Sequence, residues 1–305
     1  IDAYSMSIGS PIPNEISNSY PHAFSFIKII SKLIESHNLD KVRILDIGSG
    51  SGIFARHALI AARELGILDK IEFLLSDISK KALKEIKKRK ILNEFVEFRH
   101  YQLLELDLFN LDQCKDINGK KFKLENIDAI SMNYIYDALP AIILKPQAKG
   151  YQKLQFRFLK EDTGEAFFPQ TSTDIDEKAL IQNPDLINEL LLDSRWVDYD
   201  IKQQNDLQQK YFELVGASQA NHLNEVIFNY GAMAVTEDLM TRLSDHGFVF
   251  SCDMEIKEEF QASFKVYGNA GANFINETII TKLIHKLGYA SYIHSDQLLT
   301  KMIYF

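Results

Sequence analysis

The stretch VRILDIGSGSGIFARHAL, Val42 to Leu59, constrains the fold more than any other part of the chain. It runs from apolar, β-branched residues through three glycines at alternate positions into alanine and leucine at helical spacing. An apolar run cut off by glycine is the pattern of a buried strand. The segment after it closes on Gly66, a residue suited to a helix C-cap. Strand, loop and helix in that order put the loop at the carboxyl edge of a parallel sheet, where open α/β sheets bind ligands. Only 14 glycines occur in 305 residues, so three in one short loop mark a need for bare backbone.

The same unit recurs downstream. KIEFLLSD reads as a strand and ISKKALKEIKKRKILNE as a helix; VEFRHYQL and IDAISMNY read as third and fourth strands, the last ending at Asn133. Strands alternating with helices imply parallel pairing through right-handed crossovers, hence an α/β sheet covered on both faces. Ahead of this unit, an irregular arm precedes a helix from about His22 to Glu35, marked by Phe24, Ile27, Ile30 and Ile34. Between Lys145 and Asn221 the rhythm breaks. YQKLQFRFLKEDTGEAFF alternates like a hairpin turning near Thr163-Gly164, while LINELLLDSRW and DLQQKYFELV read as polar helices. The sheet is expected to resume with NEVIFNYG, a helix TEDLMTRLSDHG and the strand FVFSCDME; ASFKVYG is a further strand candidate and NETIITKLIHKLG a helix. The expected organisation is an arm and helix over 1–40, a core over 41–144 and 222–305, and an insertion or lid over 145–221.

Composition excludes several classes. A net charge of −8 argues against a nonspecific nucleic-acid binder, and KKALKEIKKRK reads first as a solvated helix face. Cys114 and Cys252 are the only cysteines, far apart and outside any metal spacing, so a disulfide framework is not expected. A reducing, cytoplasmic setting fits, with neither a membrane span nor a secretory signal in the chain as given. His222, His285 and His294 show no ligand spacing, and no metal is expected. Trp196 lies in the insertion, where it packs a lid helix or meets substrate. The oligomeric state is not legible.

Two kinds of ligand compete for the glycine loop. A dinucleotide asks for G-x-G-x-x-G, but here Gly48, Gly50 and Gly52 are evenly spaced and Ile53 stands where the last glycine would be. No Gly-Lys-Ser/Thr follows, which excludes a P-loop. Asp46, two residues before Gly48, suits an ammonium or sulfonium better than a pyrophosphate. Asp77 ends the second strand, where a carboxylate accepts the hydroxyls of a ribose; it equally suits the N-cap of the next helix.

Asp46, the glycine loop, Asp77 and ISMNYIYDALP together resemble a class I S-adenosylmethionine-dependent methyltransferase. The resemblance implies a Rossmann-like, mostly parallel, seven-stranded sheet with helices on both faces and an insertion after strand four. It implies that Gly48, Ser49, Gly50 and Gly52 lie against the methionine and ribose of the cofactor and that Asp46 orients the methionine amino group. Asp77 would hold the ribose, Ile78 the adenine face and Gln102 the adenine edge. A narrower likeness is to the MidA-like branch related to the mitochondrial complex I assembly arginine methyltransferase. That branch reads approximately N-E-F-F-D-A-L-P after strand four and D-Y-G after strand five. Asn133, Asp137, Ala138, Leu139 and Pro140 match the first motif; Tyr230 and Gly231 match the second. Tyr134 stands in place of the glutamate and Asn229 in place of the aspartate. A phenol cannot bind a guanidinium as a bidentate anion, which weakens the case for an arginine substrate.

Methyl transfer from a sulfonium is an in-line displacement that asks the protein mainly to align donor and acceptor. Asn133-Tyr134-Ile135-Tyr136 is similar in shape to the motif that amino-group methyltransferases carry after strand four. By that likeness Asn133 accepts from a target nitrogen and binds on the cofactor side, while Tyr134 and Tyr136 stack on the acceptor. The two tyrosines could equally pack between sheet and helix. The expected function is therefore methyl transfer to a protein or other sizeable acceptor, at nitrogen. A non-catalytic binding or assembly protein on the same fold is the alternative, and an NAD-dependent oxidoreductase is disfavoured by the loop spacing.

Overall fold

The computed structural model describes residues 18–95, 100–160, 190–218, 225–254, 264–267, 270–273, 275–295 and 299–305. Its first half holds α1 (Tyr20–His37), β1 (Val42–Ile47), α2 (Ile53–Glu64), β2 (Ile71–Asp77), α3 (Lys80–Arg89), β3 (Tyr101–Glu105), β4 (Lys115–Asp116) and β5 (Ile127–Asn133). There follow β6 (Ile142–Gln147), β7 (Gly150–Lys160), β8 (Leu190–Tyr199), α4 (Asp206–Ser218) and β9 (Val226–Phe228). The chain continues with α5 (Tyr230–Met240), β10 (Leu243–Met254), β11 (Phe264–Tyr267), β12 (Ala270–Asn273), α6 (Glu277–Lys286), β13 (Ser291–Ser295) and β14 (Leu299–Tyr304).

The main sheet has the order β13-β14-β10-β5-β1-β2-β3-β4. Its five central strands run parallel, and β14 and β13 close one side antiparallel. The sheet thus has eight strands rather than seven, because the two-residue β4 folds back antiparallel onto β3. Apolar side chains on both faces explain the unbroken runs in the sequence. In β1, Ile44 enters the core under α1, α2 and α3, while Leu45 and Ile47 enter the core shared with α5 and α6. Helix α1 buries Phe26, Ile27, Ile30 and Ile34 at helical spacing. Ser19 caps its start by accepting the His22 N–H, and Asn38 ends it in the left-handed conformation. No helix among the described residues is long and apolar enough to cross a membrane.

Two expectations are corrected in the second, four-stranded sheet, β8-β7-β6-β9. The described end of LINELLLDSRW is strand, not helix, because Leu190–Tyr199 pairs antiparallel with β7 along its whole length. Cross-strand pairing along so long a partner overrides a weak helical pattern. Thr163-Gly164 and the rest of the expected turn lie outside the described residues. Val226–Phe228 is a strand as expected, but it pairs with β6 and does not rejoin the main sheet. The place beside β5 is taken by β10, which follows α5. The second sheet therefore draws β6 and β9 from the two flanks of 145–221.

Candidate functional site

The loop after β1 turns through three left-handed glycines, Gly48 at φ 68°, Gly50 at 50° and Gly52 at 78°. At Gly48 a β-carbon would lie 2.5 Å from Ile135 Cδ1, so the loop after β5 comes against bare backbone. Asp77 ties this loop to the next crossover. Its Oδ2 accepts the Gly50 N–H at 3.2 Å and its Oδ1 accepts the Ser79 N–H at 2.8 Å. Helix α3 is capped by Ser79, whose hydroxyl accepts the Ala82 N–H, so Asp77 is not its N-cap. Burial raises the Asp77 pKa, and the two backbone amides restrain the rise.

Asp46 sits just ahead of the loop and is 2% exposed. Its Oδ2 has no hydrogen-bond partner among the described residues. Burial pushes its pKa up to about 7, with the nearby Asp77 charge adding to the rise and the neighbouring Ser49 and Ser131 hydroxyls opposing it. A buried carboxyl with an unused oxygen is costly unless a cation or donor meets it.

A cavity of about 330 Å³ opens beside this loop at the carboxyl edge of the sheet. Gly48, Asp77, Ile78, Asp107, Phe109 and Ile135 are among its walls. Ile78, 72% exposed, presents a bare apolar face there. Gln102 does not reach the cavity and is corrected: it pairs in register with Leu74, short of the strand end, and its amide donates to Glu72. The residue that the sequence reading missed is Asp107. It follows β3 much as Asp77 ends β2, and Leu106 N–H bonds the Asp77 carbonyl at 3.0 Å. Asp107 accepts the Phe109 N–H at 2.9 Å and the Asn110 amide at 2.7 Å. A second acid in ELDLF, just past an apolar strand, was the available signal.

Beyond β5 the expected acceptor residues separate. Asn133 is half-buried at the strand end, its Oδ1 2.8 Å from His22 Nε2 and its amide donating to Ser131. Tyr134 is half-buried in a left-handed conformation (φ 55°), its N–H bonded to the Cys252 carbonyl. Tyr136 is corrected. It is fully buried, with its hydroxyl 2.6 Å from Thr236 Oγ1 and bonded to Tyr304, so its ring packs the core. Beneath the loop, Asp253 Oδ1 accepts the N–H groups of Tyr136 and Asp137 at 3.0 and 3.4 Å. Burial and the adjacent Asp137 charge hold the Asp253 pKa well above the usual carboxylate range. His22, to which the sequence assigned no individual role, lies in NSYPHAFSF, a segment read either as closing over the cofactor or as a helix packed on the sheet; the structure makes it helix from Tyr20 onward.

No known family and no curated protein matches the chain by sequence. Among solved structures the chain is similar to a COG1565 superfamily member from Burkholderia thailandensis bound to S-adenosyl-homocysteine. The identity is 12% and the TM-score 0.57, over 90% of this chain and 63% of that one. A native COG1565 superfamily protein from the same organism matches with the same identity and TM-score over 95% and 67%. A magnesium protoporphyrin IX methyltransferase from Synechocystis with bound SAM aligns at 11% identity and a TM-score of 0.45, over 99% of this chain and 89% of that one. This chain thus spans just under two thirds of the first relative. The first two likenesses, with the strand order above, establish the fold as the class I methyltransferase sheet.

Proposed function

We propose that the protein is an S-adenosylmethionine-dependent methyltransferase acting on a protein or other sizeable acceptor at nitrogen. The observation that carries this reading is the unpartnered, buried Oδ2 of Asp46 ahead of a glycine loop whose neighbour Asp77 lines the cavity. These residues suit the cofactor: Asp46 for its ammonium, the loop from Gly48 through Ser49 and Gly50 to Gly52 for close approach, and Asp77 for the ribose hydroxyls. Ile78 would lie against the base, with Asp107 taking the edge role first given to Gln102. Bound S-adenosylmethionine supplies a methyl group activated by its sulfonium. Asn133 would then orient the acceptor nitrogen, and the apolar cavity walls would exclude water.

The MidA-like branch is our finer placement. Its two short motifs meet in space, since the Gly231 N–H bonds the Pro140 carbonyl at 2.9 Å. Asn229, in the place of that branch's aspartate, is buried and accepts the Asn276 N–H at 2.8 Å. Tyr134 offers no bidentate anion, so arginine is not named as the acceptor. We assign 1–40 to an arm and helix, 41–144 and 222–305 to the core, and 145–221 to an insertion beside it. The buried free thiols Cys114 and Cys252 support a cytoplasmic setting.

A second reading, a binding or assembly protein without transfer activity, is favoured by the engagement of Asn133 on both sides of its carboxamide. Calorimetric titration with S-adenosylhomocysteine and with NAD tests the cofactor; binding of NAD alone overturns the proposal. Tritiated methyl incorporation into candidate acceptors, against an Asp77→Ala control, separates transfer from binding.

A further inference from the structure

Asp46 is given to the ammonium of a ligand whose nucleoside lies in the cavity, yet it is 2% exposed and its Oδ2 is buried. The cavity reaches Ile47, Gly48 and Asp77, but Asp46 is not among the described residues that wall it. A ligand spanning both places needs a passage that is shut in this structure. The closure falls at Gly48. Ile135 walls the cavity, and its Cδ1 stands 2.5 Å from where a β-carbon on Gly48 would be. The tip of an isoleucine thus covers bare backbone two residues from Asp46.

Both main chains at this contact are tied down. The Ser49 N–H bonds the Ser76 carbonyl at 2.9 Å and the Gly50 N–H bonds Asp77, which holds the glycine loop to the end of β2. On the facing side, the Tyr134 N–H bonds the Cys252 carbonyl at 2.9 Å, and the Tyr136 and Asp137 N–H groups bond the buried Asp253. Consecutive residues of β10 therefore hold the chain before and after Ile135. Tyr134 is left-handed (φ 55°), a conformation rare for a bulky residue, and it sets the direction in which Ile135 leaves the strand. The freedom that remains is in the Ile135 side chain, which is partly exposed and can change rotamer without moving either backbone.

We infer that Ile135 is a gate between the cavity and Asp46, shut in the observed rotamer and opened by rotation of its side chain. The inference rests on the S-adenosylmethionine reading. A nucleoside alone enters the cavity with the gate shut, whereas a nucleoside carrying an ammonium-bearing tail must find it open. The open fraction then scales the apparent affinity for the longer ligand and leaves that for the shorter one unchanged. Ile135 thereby sets how strongly the pocket prefers the whole cofactor over its nucleoside part.

The test is calorimetric titration of the full chain with S-adenosylhomocysteine and, separately, with adenosine. Ile135→Val removes Cδ1, the contacting atom, and keeps the branched β-carbon. It is expected to bind S-adenosylhomocysteine about threefold more tightly, and Ile135→Ala about tenfold, as the open fraction rises. Adenosine affinity should stay within about twofold of the parent in both variants, since that ligand does not pass the gate. Unchanged or weaker S-adenosylhomocysteine binding in both variants overturns the inference, because Ile135 is then only a wall. An equal gain for the two ligands also overturns it, because the change has then loosened the whole cavity. Should Ile135→Ala fail to fold, Ile135→Val decides by the same comparison. If parent and variants alike bind neither ligand, the cofactor reading itself falls.

Discussion

Gly231 donates its backbone N–H to the carbonyl oxygen of Pro140 at 2.9 Å, and a β-carbon at position 231 would lie 2.8 Å from that same oxygen. The start of α5 is therefore laid directly on the segment that walls the cavity, where Pro140 is one of the lining residues. Gly231→Ala forces these backbones apart. A stability loss of about 1–3 kcal/mol is expected by urea denaturation. Weaker S-adenosylhomocysteine binding should accompany it, and an unchanged midpoint would show that the contact tolerates a methyl group.

Asp46 makes stability and cofactor binding respond to pH in opposite ways. Its pKa rises from 3.8 to about 7 on folding, so between those values the folded chain keeps a proton that the unfolded chain has lost. Stability from this group therefore falls as pH rises through that window, by up to about 4 kcal/mol. Asp46→Asn should raise the melting temperature near pH 8 and change it little near pH 4. If Asp46 receives the ligand's ammonium, affinity for S-adenosylhomocysteine rises with pH through about 7. Asp46→Asn should flatten that titration and weaken binding.

His22 has the reverse sign. Its pKa is lowered from 6.5 to about 4, so stability from this group is lost as pH falls through that window. Thermal melts of His22→Phe should show a shallower acid limb than those of the parent chain. Identical limbs would mean that His22 is not held neutral.

Asp77 holds Gly50 and Ser79 on its two oxygens, joining the glycine loop to α3. Removing both acceptors with Asp77→Ala should weaken S-adenosylhomocysteine binding by about tenfold or more, since bonds to a charged group exceed neutral ones. Asp77→Asn keeps one acceptor oxygen and should lose less. Calorimetry at a fixed pH reads both.

Tyr136→Phe separates core from site. The lost hydroxyl served Thr236 and Tyr304 in a fully buried place, so a stability loss of about 1–2 kcal/mol is expected. Affinity for S-adenosylhomocysteine and any transfer activity should stay unchanged. A selective loss of transfer with unchanged melting would return Tyr136 to the acceptor site.

Much of the fold was legible because it is local. The apolar run of β1, the glycines behind it and the helix α2 lie within one short stretch, so strand, loop and crossover could be read together. The positions of Asp46, Asp77 and Asn133 near strand ends followed from the same reading. Asp107, the cavity-lining acid we propose for the adenine edge, lies a few residues past the Gln102 that the sequence suggested, because where β3 ends depends on its pairing with β2 and not on its own composition. Strand β8 was missed for a related reason: its ladder partner β7 is remote in sequence, and no local signal records it.

What the sequence determined by itself was the α/β alternation and the glycine loop with its two carboxylates, since hydrophobic period and backbone freedom act over neighbouring residues. The tertiary structure alone decided the rest. It buried Tyr136 against Tyr304, gave Gly231 to Pro140 and joined His22 to Ser131 through Asn133. Those relationships link residues scores of positions apart, brought within hydrogen-bond reach only when strands and helices pack into one sheet.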